Sequence, residues 1–165
     1  MQEYHYRYEE GKVPEVFSKI AFMTWFVHEK LLKQVMEASR IREYEPGEEM
    51  ISEGDMDRWV YILLTGRLRV TKGGELVTTL DHTGELIGEL RVIENGPRTA
   101  TVTALARVIC LAVDISFVDG LNEADRYAST AMIYRLFSKE LAERLRNTTE
   151  ELRLARQELE DLKRK

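Results

Sequence analysis

The sixteen residues from Ile87 to Val102, IGELRVIENGPRTATV, decide how the rest of this chain is read. They set Gly88 and Glu89 at the start of a short apolar turn and bring Gly96-Pro97-Arg98-Thr99-Ala100 back beside it a few residues later. Backbone N–H groups at a helix start, a guanidinium fork and a hydroxyl together suit a phosphate diester, with Glu89 accepting from a sugar hydroxyl. The expectation is a pocket for a small organic anion.

Around this stretch the sequence reads as short β runs punctuated by glycine. Tyr44-Glu45-Pro46-Gly47-Glu48-Glu49 is a turn, Met50-Ile51 a short strand, Glu53-Gly54-Asp55 a second turn and Trp59 to Leu64 a strand. Thr65-Gly66-Arg67 turns into Leu68 to Thr71, and Lys72-Gly73-Gly74-Glu75 is a hairpin turn into Leu76 to Leu80. Thr99 to Leu105 and Arg107 to Val113 complete the set. Strands at such short spacing predict an antiparallel sandwich or barrel, not a parallel sheet with crossover helices. Gly47, Gly54 and Gly66 are given structural roles, at turns that need positive φ.

Helical patterns flank the β region. Met1 to Lys12, with alternating Tyr4, Tyr6 and Tyr8, is read as an irregular arm. From Pro14 to Arg40 the apolar residues recur at three- and four-residue intervals, predicting helical segments with one apolar side. From Asn122 to the end there is no glycine or proline, and Asn122 or Ser129 would cap a helix. Leu141, Leu145, Thr148, Leu152, Ala155, Leu159 and Leu162 then fall on alternating four- and three-residue steps, the seam of a coiled coil. Glu140 with Arg144, and Glu160 with Arg164, lie one turn apart and support the helix. A lone helix would leave that seam in water, so a parallel homodimer through residues 141–162 is expected. Three regions result: an arm and helical lead-in over 1–42, a β-roll over 43–121, and helices with a dimeric coiled coil over 122–165.

Composition bounds the function. At 165 residues, with 44% hydrophobic and 32% charged residues, the chain suits one soluble domain with an appended helix. The longest uncharged stretch near the N-terminus, Ile20 to Val27, is too short to cross a bilayer, and no signal peptide is visible, so a cytoplasmic protein is expected. A net charge of −5 argues against unspecific nucleic-acid binding. Cys110, the single cysteine, sits in an apolar run and is read as a buried small hydrophobe. His5, His28 and His82 are dispersed without ligand spacing, and no serine sits in a nucleophile elbow, so neither a metal site nor catalysis is expected.

With its strands, glycines and pocket stretch in this order, the chain resembles the cyclic nucleotide-binding domain family. The resemblance is carried by Pro46-Gly47-Glu48, Glu53-Gly54-Asp55, Tyr61-Ile62-Leu63-Leu64-Thr65-Gly66, Gly84, Ile87-Gly88-Glu89-Leu90 and Pro97-Arg98-Thr99-Ala100-Thr101-Val102, and runs from about Tyr44 to Val113. It implies a mainly β fold, an antiparallel β-roll or jelly roll with N-terminal helices and a long C-terminal helix. It also implies a pocket in which Glu89 takes the ribose 2′-hydroxyl, Arg98 the cyclic phosphate and Thr99 the phosphate or base. Backbone amides around Gly88, Leu90 and Ala100 would line the cradle.

The tail from Ala142 to Glu151 is similar to the dimerisation helix of bacterial catabolite activator proteins. By that similarity Thr148 and Thr149 would be base contacts and Arg144 would reach the Glu89 region; the competing reading is that Thr148 only sets the register of the seam. Two departures stand out. Arg91 follows Leu90 where the family usually has a small residue, and it either faces solvent, adds a phosphate contact, or marks a pocket that has lost its ligand. No helix-turn-helix follows the tail, which with the negative net charge makes DNA binding unexpected. The implied function is a homodimeric sensor that binds cAMP in preference to cGMP, without a metal, acting on a downstream protein that the sequence does not identify. The alternative is a nucleotide-independent dimeric interaction module of the same fold.

Overall fold

The computed structural model describes residues 1–5 and 29–164. The chain divides into two compact units, residues 1–129 and 130–165. The first unit is built on two antiparallel sheets. One has the strand order β1-β2-β9-β4-β7, from Gln2–His5, Ser39–Tyr44, Val108–Asp114, Trp59–Thr65 and Leu86–Ile87. The other has the order β3-β8-β5-β6, from Glu49–Ile51, Thr101–Ala104, Leu68–Lys72 and Glu75–Leu80. All the strand pairs are antiparallel, which confirms the β-roll expected from the sequence.

The core forms from inward-facing residues of both sheets, among them Tyr44, Tyr61, Leu63, Leu68, Ile87, Val102, Val108 and Cys110. Strand β4 shows why the fold is specified: Tyr61 and Leu63 face this core, and the alternate residues Val60, Ile62 and Leu64 are buried too. Leu63, Leu68 and Leu111 have no exposed surface, and burying each such side chain contributes roughly 1.5–3 kcal/mol. The hairpin turn between β5 and β6 is made by Gly73 and Gly74, both at positive φ, as a two-residue turn matched to strand twist requires. Gly66, at φ 112, lies so close to the Arg107 carbonyl and Val108 that a Cβ would overlap both, and its small size lets β4 turn beneath the start of β9.

The N-terminal region departs from expectation. Residues 2–5 are not an irregular arm but the edge strand β1, paired in register with β2 from Gln2↔Glu43 to His5↔Arg40. The helical lead-in before residue 29 lies outside the described residues. Helix α1, Glu29–Glu37, ends sooner than expected, because Ser39 and Arg40 are the first residues of β2. Strand β2 carries three charges in six residues, Arg40, Arg42 and Glu43, which hid it from a hydrophobic pattern. Its Arg42 is held over the Trp59 ring at 4.0 Å, donates from Nε to Glu3 at 2.6 Å and from Nη1 to the Tyr61 hydroxyl at 3.0 Å.

Beyond β9 a 3-10 turn, Ile115–Gly120, is capped by the Asp114 carboxylate accepting from the Ser116 amide. The long C-terminal helix, here α3, runs Glu123–Lys163. Asn122 caps it, its Oδ1 accepting from the Asp125 amide at 3.0 Å, whereas Ser129 lies inside the helix. In the second unit the seam residues Leu145, Leu152, Leu159 and Leu162 are each at least half exposed. Pairs one turn apart, Glu140 with Arg144 at 3.8 Å and Glu150 with Arg153 at 2.8 Å, brace its surface. No helix among the described residues is long and apolar enough to cross a membrane.

Candidate anion-binding site

The stretch from Ile87 to Val102 forms one side of the site, and the loop between β3 and β4 forms the other. Strand β7 runs into Gly88, and the six-residue helix α2, Glu89–Glu94, follows it directly. Gly88 adopts φ 88, which favours glycine, and a Cβ there would collide with the Arg98 guanidinium. The glycine is therefore required twice, by its own backbone and by the arginine laid against it. At the far end of α2, Asn95 takes φ 50 and closes the helix, after which the chain returns through Pro97 to Arg98.

Arg98 is 2% exposed and held on every side. Its Nη1 donates to the Gly88 carbonyl at 2.8 Å, and its Nη2 donates to the Trp59 carbonyl at 2.5 Å. Its Nε and Nη2 grip Asp57, at 3.0 Å to Oδ2 and 2.5 Å to Oδ1. Four of the five guanidinium N–H groups are thus engaged among the described residues, and one on Nη1 is left. The backbone is fixed as well: the Gly54 amide donates to the Arg98 carbonyl at 2.9 Å, and the Arg98 amide to the Asp55 carbonyl at 2.8 Å. Strand β8 adds a third tie, Thr101 Oγ1 accepting from the Glu53 amide at 3.0 Å.

Asp57 is the residue that the sequence reading missed. It sits at the end of the Glu53-Gly54-Asp55 turn, accepts from the Trp59 amide at 2.9 Å, and has a side chain 36% exposed. Partial burial alone would raise its pKa. Hydrogen bonds from Arg98 and the Trp59 amide, with the positive charges of Arg98 and Arg42, outweigh that and hold the carboxyl below its ordinary range. The available signal was physical: a buried arginine needs an acid, and Asp57 lies on the polar loop that leads into β4.

The other expected residues divide by unit. Gly88, Glu89, Leu90, Arg98, Thr99 and Ala100 come together at the β7–α2 turn and its return; Glu89 is 2% exposed, and Leu90, Thr99 and Ala100 are half-buried. Arg144, Thr148 and Thr149 lie in the second unit, Arg144 partly exposed and both threonines exposed on α3. Arg91 does not face solvent. It is 6% exposed, and it donates from Nη2 to the Met56 carbonyl at 3.0 Å and from Nη1 to Asn95 Oδ1 at 3.4 Å. Among the described residues no three His, Cys, Asp or Glu side chains gather to hold a metal.

A two-sheet antiparallel roll carrying a short Gly-Glu helix beside a buried, acid-paired arginine is a ligand-binding β-roll. The family model for the cyclic nucleotide-binding domain matches residues 41–125, just over half of the chain, and the chain belongs to that family. Among curated relatives, the cAMP-dependent protein kinase type II regulatory subunit of Drosophila melanogaster is 35% identical over 83 residues, covering 50% of this chain and 22% of the relative. The cGMP-dependent protein kinase of Toxoplasma gondii is 30% identical over 79 residues, covering 48% of this chain and 8% of the relative. The chain therefore spans under a quarter of either relative. The fold is also that of the catabolite activator protein of Thermus thermophilus, with a TM-score of 0.59 at 22% identity, covering 81% of this chain and 62% of that one.

Proposed function

We propose that this protein is a regulatory sensor that binds a cyclic nucleotide, cAMP in preference to cGMP, as a homodimer in the cytoplasm. One observation carries the reading: Arg98, buried beside the Gly88 carbonyl, with Glu89 buried at the start of the adjoining helix. This is the arrangement needed to hold a cyclic phosphate and a ribose hydroxyl together. Arg98 takes the phosphate, Glu89 the ribose 2′-hydroxyl, and Thr99 with the amides around Gly88, Leu90 and Ala100 completes the cradle. Relatives of both kinds support the ligand class, one the regulatory subunit of a cAMP-dependent protein kinase and one a cGMP-dependent protein kinase. The work of the site is binding and not catalysis, because its groups hold a phosphate without presenting a nucleophile.

The tail supplies the rest of the proposal. By the tail's similarity to the dimerisation helix of catabolite activator proteins, Thr148 and Thr149 are the proposed base contacts, which favours adenine. The exposed leucines 145, 152, 159 and 162 pair with those of a second copy. In parallel register Glu151 and Glu158 of one copy meet Arg156 and Lys163 of the other, opposite charges at the flanking positions, whereas an antiparallel pairing sets like charges together. Ligand occupancy then acts by population shift, the ligand binding one state of the protein better than the other. The output is a protein partner, since the net charge of −5 opposes DNA.

Calorimetric titration with cAMP and cGMP tests the proposal. Saturable heat with cAMP, and weaker binding of cGMP, is expected. No heat with either at high micromolar concentration overturns it in favour of a nucleotide-independent interaction module. Arg98→Ala locates the phosphate: losing a charge-assisted pair to a buried anion costs on the order of 2–5 kcal/mol, and affinity within a fewfold of the parent would refute the assignment.

A further inference from the structure

The pairing of Arg98 with Asp57 leaves the site short of positive charge. A two-pronged arginine–carboxylate pair is neutral, so the cation assigned to the phosphate has its own anion already. Arg91 is the other cation here. Its guanidinium is buried, yet among the described residues both of its bonds go to uncharged oxygens, those of Met56 and Asn95, and its Nε has no hydrogen-bond partner there. Buried charges are ordinarily paired, and one satisfied only by carbonyl oxygens is costly. Asp57 is taken by Arg98 and the Trp59 amide, and Glu89 stands two residues before Arg91 on α2, a helical spacing at which side chains do not face each other.

We infer that Arg91 is a second anion-binding cation of this site, holding the ligand phosphate together with Arg98. The two arginines approach the same loop at consecutive residues: Arg91 bonds the Met56 carbonyl, and Arg98 bonds the Asp57 carboxylate that follows it. With Asp57 occupying Arg98 and Glu89 assigned to the ribose hydroxyl, Arg91 is the cation that faces the single negative charge of a phosphate diester. The large residue at a position that the family usually keeps small then compensates for the acid on Arg98 and does not obstruct the ligand. The nature of the ligand rests on the cyclic-nucleotide reading; the role of Arg91 as an anion contact is tested apart from it.

The test compares the parent with Arg91→Met and Arg91→Lys by calorimetry and thermal melting, using cAMP, cGMP, inorganic phosphate and uncharged adenosine as probes. Arg91→Met is expected to bind cAMP about 10- to 100-fold more weakly, the range for losing a bond to a charged group, while adenosine binding is unchanged. Arg91→Lys is expected to recover most of the loss, and without ligand Arg91→Met should melt no lower than the parent, since it removes an unpaired buried charge. Equal or tighter cAMP binding by Arg91→Met overturns the inference. If the parent binds neither nucleotide but is stabilised by phosphate, and Arg91→Met is not, the inference stands and the nucleotide reading falls. If nothing stabilises the parent, both fall. Should Arg91→Met fail to fold, Arg91→Gln is read against the same outcomes.

Discussion

Asp57 closes on Arg98 through both carboxylate oxygens, with the arginine 2% exposed and the acid 36% exposed at its side chain. The acid is the half of the pair that water reaches. On the proposed reading, a phosphate entering this site would meet a guanidinium already bound, and would have to share that group with Asp57 or draw on another cation. The relationship also ties the two halves of the site together, because Asp57 belongs to the β3–β4 loop and Arg98 to the return from α2.

That pair sets an acid limit on stability. The Asp57 carboxyl is held below its unfolded value, so its contribution is fully present above about pH 4, the ordinary aspartate range, and is lost as pH falls through the lower folded value. Thermal melts of the parent between pH 6 and pH 2.5 should show a fall that Asp57→Asn lacks in part. The variant should be the less stable near neutrality, with the two curves converging in acid; parallel curves would show that the pair does not act on stability.

Cys110 offers a probe of the core. It has no exposed surface, its Sγ lies 3.6 Å from the Arg42 carbonyl, and burial pushes the thiol up to about 12. A thiol reagent at pH 8 should leave the folded protein unmodified for as long as it stays folded, and modify one group per chain in denaturant. Prompt modification of the native protein would place Cys110 outside the core.

The seam of α3 can be tested by charge as well as by length. A chain ending after Leu141 should sediment as a monomer. The double change Glu151→Lys with Glu158→Lys should weaken the dimer, and adding Arg156→Glu with Lys163→Glu should restore it, because parallel pairing joins those positions. A truncated chain that remains dimeric would move the interface elsewhere.

What the sequence revealed follows from how local each signal is. The turn glycines, the Lys72-Gly73-Gly74-Glu75 hairpin and the Gly88-Glu89 and Pro97-Arg98 segments were legible because positive φ and charge leave marks at single positions. Strand β1 was not, since four residues on a sheet edge become a strand only through their pairing with β2. Strand β2 was hidden because Arg42 is half-buried by stacking on Trp59, a compensation between residues seventeen positions apart. The Asp57 partner of Arg98 was likewise out of reach, forty-one positions away in the chain. The direction of Arg91 turned on a carbonyl of that same distant loop, which no pattern around Leu90 could reveal.

The four bonds on Arg98 also bear on the speed and sharpness of recognition. A free arginine side chain samples many rotamers, and fixing one on binding costs on the order of 1 kcal/mol. Here the side chain is immobilised by Gly88, Trp59 and Asp57 before any ligand arrives. That entropy is lost when the roll folds, so on the proposed reading an anion that takes the one N–H left on Nη1 would meet a fixed donor and lose little by docking on it. Discrimination among anions would then rest on shape, since a donor that cannot swing has no way to follow a phosphate of the wrong geometry.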